Sequence, residues 1–214
     1  MLQMSVVGYP FVNPGAVGGV GKFIDDQEGN IDEANITSTR EDWELYIRWY
    51  QLNTFMPMLH FLKPPKALPK DVVSDNLKLQ IISMILHTIS FQISHIASKL
   101  KSIREKILPQ LTSFSVEAMR RSSMPVIRPL WMLDSQDPVN QVIDDEFMIG
   151  DEILVAPILR YKQRRRNIYL PKIPSDQYWL GSDNALYTGG RWLNNTVVEL
   201  EDVPYFVRKD NPLP

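Results

Sequence analysis

One stretch of the chain, residues 125–171, constrains the fold more than any other. It holds two short apolar runs, residues 125–133 and 152–159, whose length and composition are typical of buried strands. Pro138 stands between them where a helix can start, and apolar residues then recur at helical spacing up to Gly150, a residue typical of a helix C-terminal cap. The stretch therefore predicts strand, short helix and strand in succession.

The pattern changes after Gly150 to short extended segments separated by turn residues. These segments lie at 166–170, 177–180, 185–188, 196–201 and 205–207. They predict a small antiparallel β unit over residues 151–214, part of a sandwich. The basic run 164–166 falls in a turn of this unit. Because the net charge is only −2, no nucleic-acid partner is expected.

The first sixty residues predict a strand, a glycine-rich loop, a helix and a second strand. The glycine-rich segment 8–19 is either a βα loop at the mouth of a barrel or a plain flexible loop. A helix is expected from a cap at Thr39, with an aromatic stripe over 43–55 that indicates core. A strand at 56–61 follows and carries His60 near its end.

An apolar stretch without charge lies between Lys78 and Lys99. Its length raises the question of a membrane span, but its histidines, glutamines and serines argue against one. We interpret residues 75–98 as an insertion, which could also be an unusual buried helix. A separate helix is expected over 102–121, kinked or broken at Pro109.

Several blocks, in their order along the chain, resemble glycoside hydrolase family 31. They are the glycine-rich segment 8–19, the helix with Arg48 and Trp49, the run from Arg128 to Trp131, the segment 147–158 and the sequence 168–171. No single block is specific to the family, but the order of the blocks is. Their amino-acid sequences are most similar to an animal branch of the family. The resemblance covers most of the chain.

The resemblance implies an α/β fold: residues 1–150 as the C-terminal portion of a TIM (β/α)8 barrel, and residues 151–214 as the start of an antiparallel β-sandwich. A complete barrel takes about 250 residues, so the chain is expected to be a fragment. The implied catalytic aspartates lie upstream of it, and no residue here is assigned a catalytic role. The implied sugar-facing residues are Asn13, Gly18, Gly19 and His60.

Two positions depart from the family pattern that the resemblance implies. Gly15 or Ala16 stands where an aspartate is expected, and His60 stands where a glutamine or arginine is expected. The acidic run 144–146 is tempting as a carboxylate cluster, but we interpret it as a solvated face of the short helix. Arg128 in the first strand is interpreted as a structural clamp that needs a carboxylate or carbonyl partner.

The chain has no cysteine and three histidines, so neither thiolate chemistry nor a metal site is expected. The leading hypothesis is a fragment of a retaining α-glycosidase that binds an α-glycoside, needs no cofactor and is inactive as an isolated chain. The alternatives are a non-catalytic relative that binds glycan or a partner, and a chain without a stable fold alone. A membrane role for this segment is not expected, and the resemblance alone implies the secretory pathway or the endoplasmic reticulum lumen.

Overall fold

The computed structural model describes residues 1–18, 33–62, 77–121 and 124–210, without side-chain detail at 33–42, 77–90 and 121. Helices come first: α1 (Leu2–Val6), α2 (Glu33–Thr54) and α3 (Leu77–Arg121). A 3-10 turn (Leu130–Met132) and helix α4 (Pro138–Val142) lie among the strands. The strands are β1 (Ile127–Arg128), β2 (Phe147–Ile149), β3 (Ile153–Val155), β4 (Arg165–Leu170), β5 (Gln177–Gly181), β6 (Leu186–Tyr187), β7 (Arg191–Val197) and β8 (Tyr205–Asp210).

Helix α2 buries the stripe that its sequence predicts. The inward side chains recur at three- and four-residue intervals and are at most 7% exposed: Trp43, Tyr46, Ile47 and Tyr50. The helix begins at Glu33, ahead of the expected cap at Thr39, and it ends at Thr54 as the pattern indicates. The aromatic residues are therefore core residues.

Helix α3 is one element of 45 residues that joins two predicted segments. The stretch interpreted as an insertion is helical from Leu77 onward and runs directly into the helix predicted at 102–121. Pro109 lies inside the helix on its exposed side, where water can reach the carbonyl that loses its N–H partner, so the expected break is absent. No helix in the described ranges is long and apolar enough to cross a membrane.

The strands form two antiparallel sheets. The larger has the order β1-β2-β3-β8-β5-β6, and in the smaller β4 pairs with β7. The expected antiparallel unit is confirmed, although it already begins at β1. Parallel pairing in the described residues is confined to one isolated bridge between Val17 and Phe61. The described chain is therefore a mostly antiparallel β domain with helices packed on it, and these residues form no closed barrel.

The larger sheet separates two cores because successive strand side chains point to opposite faces. One set packs toward the smaller sheet: Met148, Leu154 and Phe206. The neighbouring set packs toward α2 and α3: Phe147, Ile149, Ile153 and Val155. Burying each of these side chains contributes about 1.5–3 kcal/mol, so the helices and the β domain are held together mainly by this layer.

The predicted order of strand, helix and strand is wrong in its middle. Helix α4 ends at Val142, and Phe147 to Ile149 form strand β2, which pairs with β3. Gly150 lies in the turn between these strands, with φ of 55°, and caps no helix. The apolar spacing fits a strand as well as a helix, and hairpin pairing decides between them. The flanking strands are also shorter than predicted.

Candidate functional site

The predicted sugar-facing residues lie on two adjacent extended segments, one before and one after α2. The N–H of Val17 donates to the carbonyl of His60 at 2.8 Å, and the N–H of Leu62 donates to the carbonyl of Val17 at 2.9 Å. This parallel pairing brings Gly18 next to the His60 segment. Gly19 lies outside the described residues.

The Asn13 side chain ties these two segments together. Its Nδ2 donates to the carbonyl of Met58 at 2.7 Å, and its Oδ1 accepts the N–H of Gly15 at 2.7 Å. An amide nitrogen has a second hydrogen and an amide oxygen a second lone pair, so a ligand contact is still possible. What the structure assigns to Asn13 is a positioning contact between the segments.

The position before the paired segment is built for glycine. Gly15 has φ of 101°, a conformation that side-chain-bearing residues rarely adopt. A Cβ there would lie 3.4 Å from Cζ2 of Trp49, which is tight contact with a bulky ring. An aspartate at Gly15, one of the two positions where the family pattern implies it, would therefore strain this backbone.

Helix α3 supports the segment that carries His60. The Arg104 guanidinium donates to the carbonyls of Thr54 and Met56 at 2.8 Å each, and to that of Pro57 at 3.2 Å. The last carbonyls of a helix have no partner within the helix, so Arg104 satisfies groups that α2 leaves open. His60 itself is exposed at the end of this braced backbone.

A second arginine contact joins α2 to the β domain. Arg164 forms two hydrogen bonds to Glu44, at 2.5 Å to Oε1 and 3.1 Å to Oε2. Burial raises the pKa of Glu44, but the hydrogen bond and charge of Arg164 outweigh it and hold the pKa below its usual value. Glu44 is therefore an ionised structural group at neutral pH.

Arg48, one turn further along α2, holds the loops of the β domain. Its guanidinium donates to the side chain of Gln51 at 2.9 Å and to backbone carbonyls of Gln163, Glu199 and Asp202 at 3.3–3.4 Å. Burial, with the charge of Arg164 added, lowers its pKa to about 10, so the group stays charged at neutral pH. The structural role predicted for Arg48 agrees with these contacts.

The acidic run 144–146 is only partly the solvated face that was predicted. Its first two members are exposed, but Glu146 is 1% exposed and lies beside β4. Its Oε1 accepts the Arg166 guanidinium at 3.1 Å and the N–H of Tyr169 at 3.0 Å. Burial raises the pKa of Glu146 to about 8, although the Arg166 charge and the Tyr169 N–H both act to lower it. The prediction is wrong for Glu146, and the run follows α4 instead of lying on it.

Arg166 uses all of its N–H groups within the protein. It donates to the carbonyls of Asn167, Asp145 and Pro157 and to Oε1 of Glu146, and its Nη2 lies 3.0 Å from the carboxylate of Asp145. Arg128 likewise donates to the carbonyl of Pro125 at 2.8 Å and pairs with the carboxylate of Asp151, as expected of a structural clamp. These arginines hold backbone and strands in place.

Sequence reasoning missed Arg104 and the pair of Glu44 with Arg164. Arg104 falls within the buried stripe of α3, between Leu100 and Ile107, and an arginine on a buried face needs partners. That signal could have identified it as a structural residue. Which carbonyls it would meet depends on the packing of α3 on α2, and the sequence does not specify that packing.

Comparison with known proteins shows similarity to one family of glycoside hydrolases. Residues 123–211 match the Glycosyl hydrolase family 31 C-terminal domain. A SITS-binding protein of Tetronarce californica is 29% identical over 98% of this chain and 25% of its own length. The myogenesis-regulating glycosidase of Mus musculus is 28% identical over 96% of this chain and 25% of its own length. A GH31 alpha-xylosidase from a soil metagenome, solved in complex with xylose, superimposes with a TM-score of 0.62 at 25% identity, covering 97% of this chain and 29% of that chain.

The antiparallel sheets described above fall within the part of the chain that the family match covers. Residues 123–211 are similar to the C-terminal domain of glycoside hydrolase family 31, and the two curated relatives extend the similarity over almost the whole chain. The resemblance inferred from the sequence is thereby confirmed. The chain spans about a quarter of the length of the curated relatives it matches.

Proposed function

We propose that this chain is the C-terminal part of a retaining α-glycosidase, whose catalytic aspartates lie outside these 214 residues. In such an enzyme one carboxylate attacks the sugar and a second donates and then removes the proton. The two buried carboxylates of the described residues, Glu44 and Glu146, both face arginines and are structural. The substrate would be an α-linked glycoside. The xylose complex of the alpha-xylosidase supports a sugar ligand for this family.

The observation that carries this proposal is the parallel pairing of the segments before and after α2. We assign residues 1–122 to the last part of the catalytic barrel and residues 123–214 to the following β-sandwich, because the C-terminal-domain match begins at residue 123 and β1 already belongs to the antiparallel sheet. The antiparallel sheet that contains β1, β2 and β3 packs on α2 and α3, so the two parts form one packed body. Parallel neighbours whose loops lie at one end are the arrangement of a barrel mouth.

Within that mouth we assign sugar contacts to Asn13, Gly18, Gly19 and His60. Gly18 is buried with φ of 79°, which allows backbone to approach a ligand closely. The exposed His60 imidazole can donate to or accept from a sugar hydroxyl. Asn13 would act chiefly through the distance it fixes between the two segments.

The second candidate is a non-catalytic relative that binds glycan or a partner. The conformation of Gly15 favours it, because the acid expected there would be strained. A protein that kept the cleft but lacked the catalytic aspartates would bind sugar without hydrolysing it.

The two candidates are separated by activity of the longer protein. The isolated chain should release no aglycone from aryl α-glycosides, because both catalytic acids lie outside it. The longer protein should hydrolyse one of them and release the α-anomer first, as followed by NMR. His60→Ala in that protein should raise KM by about tenfold with a smaller change in kcat, since a lost binding contact acts mainly on KM. Gln92→Ala, an exposed change on α3, is the control.

Inhibitor-sensitive turnover by the isolated chain would refute the placement of the acids. Calorimetric sugar binding by the longer protein without any hydrolysis would establish the second candidate in place of the first.

A further inference from the structure

A groove of about 1080 Å³ separates helix α3 from the β6–β8 side of the β domain. The buried part of its lining is apolar and includes Val203 and Phe206. The exposed part is polar on both sides, with Ser98 and Ser102 on α3 and Asn194 on β7. The small serine side chains leave the space between the helix and the sheet open. None of the described candidate sugar-facing residues lines this groove.

Several polar side chains of the groove make no hydrogen bond or ion pair in the described part of the chain. In the ranges that the structure describes, the side chains of Ser98, Ser102 and Asn194 make no hydrogen bond, while Lys106 and Arg191 have no ion-pair partner. Other lining groups are satisfied internally: Lys99 contacts the Asp202 carboxylate at 2.5 Å, and the Tyr187 hydroxyl donates to the Asp183 carboxylate at 2.6 Å. Donors and acceptors without a protein partner therefore face each other across the groove.

An aromatic ring lies at the edge of this groove. Trp192 is 43% exposed, which is unusual for so large an apolar residue. Its ring is supported from within by Tyr169, with ring centroids 5.1 Å apart. A supported and partly exposed indole offers a fixed apolar surface to a ligand.

The charge of the lining indicates a neutral ligand. Lys99, Lys106 and Arg191 are balanced in part by Asp183 and Asp202, so neither sign dominates. A polyanion would meet two carboxylates here, and a cation would meet three basic groups. A sugar ring has apolar C–H faces that stack on an indole and hydroxyls that both donate and accept hydrogen bonds.

We propose that this groove binds a neutral oligosaccharide, at a site separate from the sugar-facing residues of the proposed barrel mouth. Its volume of about 1080 Å³ is slightly above the roughly 300–1,000 Å³ typical of ligand sites and is enough for several sugar rings. Trp192 is the stacking surface, and the serine and asparagine side chains contact the hydroxyls. The site does not depend on catalytic activity and goes beyond the proposed function.

The test is isothermal titration calorimetry of the 214-residue protein with maltotetraose, isomaltotetraose and xylotetraose. At least one should bind. Trp192→Ala should weaken its Kd by tenfold or more (about the effect of truncating a binding hot spot), whereas Trp192→Phe should keep it within a few-fold. Circular dichroism would confirm that each variant is folded.

A matched pair on α3 tests the groove without touching the indole. Ser102→Trp should fill the groove and abolish binding, whereas Ser113→Trp, an exposed change outside the groove, should leave it unaltered. His60→Ala should also leave it unaltered. Failure of all three tetrasaccharides to bind would overturn the proposal. Binding that is lost in His60→Ala but retained in Trp192→Ala would overturn it while supporting the proposed barrel mouth.

Discussion

Replacing Glu146 with glutamine should make the protein more stable at alkaline pH. Burial raises the pKa of this carboxyl from 4.5 to about 8, so the folded protein holds a proton there that the unfolded chain releases. Glutamine keeps an oxygen that can accept from Arg166 and from the N–H of Tyr169, but it never ionises. The change therefore removes the cost of a buried charge while retaining both hydrogen bonds.

The size of the effect on the free energy of unfolding follows from the number of protons that Glu146 binds in the folded and unfolded states. Between about pH 5 and pH 8 the folded state binds one proton more than the unfolded state at Glu146, so each pH unit lowers the free energy of unfolding by about 1.4 kcal/mol. The pKa difference from 4.5 to about 8 then sets a total loss of at most about 5 kcal/mol above pH 8. Glu146→Gln should lack this slope.

Urea unfolding at several pH values from 5 to about 8.5, followed by tryptophan fluorescence, measures the effect. The gap in unfolding free energy between Glu146→Gln and the wild type should widen in favour of the variant as pH rises. Glu152→Gln, at an exposed position, is the matched control and should run parallel to the wild type. If the Glu146→Gln curve also runs parallel, or if the gap narrows with rising pH, the Arg166 charge outweighs burial and the reasoning fails.

Two further substitutions test how the helices and the β domain fit together. Gly150→Ala should destabilise by more than about 2 kcal/mol, because its Cβ would lie 2.3 Å from the Phe114 ring and its φ of 55° is unfavourable. Gly8→Ala, with φ of 107° and open space, should show only the strain of about 1 kcal/mol, and equal losses at both positions would refute the clash. Arg104→Ala should cost about 2–3 kcal/mol in thermal or urea unfolding, since carbonyls at the end of α2 lose their donor. The exposed Lys101→Ala should cost less than about 0.5 kcal/mol, and an Arg104→Ala loss that small would contradict the bracing role.

The spacing of apolar residues along the chain was sufficient to predict helix α2 and most strands of the β domain. The aromatic stripe of α2 and most of the short extended segments after Gly150 predict elements that form, but the segment predicted at 196–201 is wrong, since β7 spans Arg191–Val197. The same spacing gave a wrong prediction between Pro138 and Gly150, because the positions of Phe147 and Ile149 fit both a helix and a strand. The pairing of β2 with β3 decides there, and pairing is a property of residues distant along the chain.

The candidate site was predictable only as far as the family resemblance reached. His60 and the glycine-rich segment could be named from motif order. The hydrogen bonds of Asn13 could not be predicted, because they form only when the segments before and after α2 lie side by side. Glu146 illustrates the general limit. Nothing in its acidic neighbourhood indicates burial, because strand β4, which lies beside it, comes some twenty residues later in the chain.

The order of strands in the larger sheet bears on how copies of this protein behave toward one another. Its outermost strands, β1 and β6, are two residues long each, so little backbone remains for a strand of another molecule to pair with. In the smaller sheet the longer β4 has a register shift between Arg166 and Ile168, which interrupts a straight ladder. The short outer strands and the irregular β4–β7 ladder both work against edge-to-edge aggregation between copies of the protein.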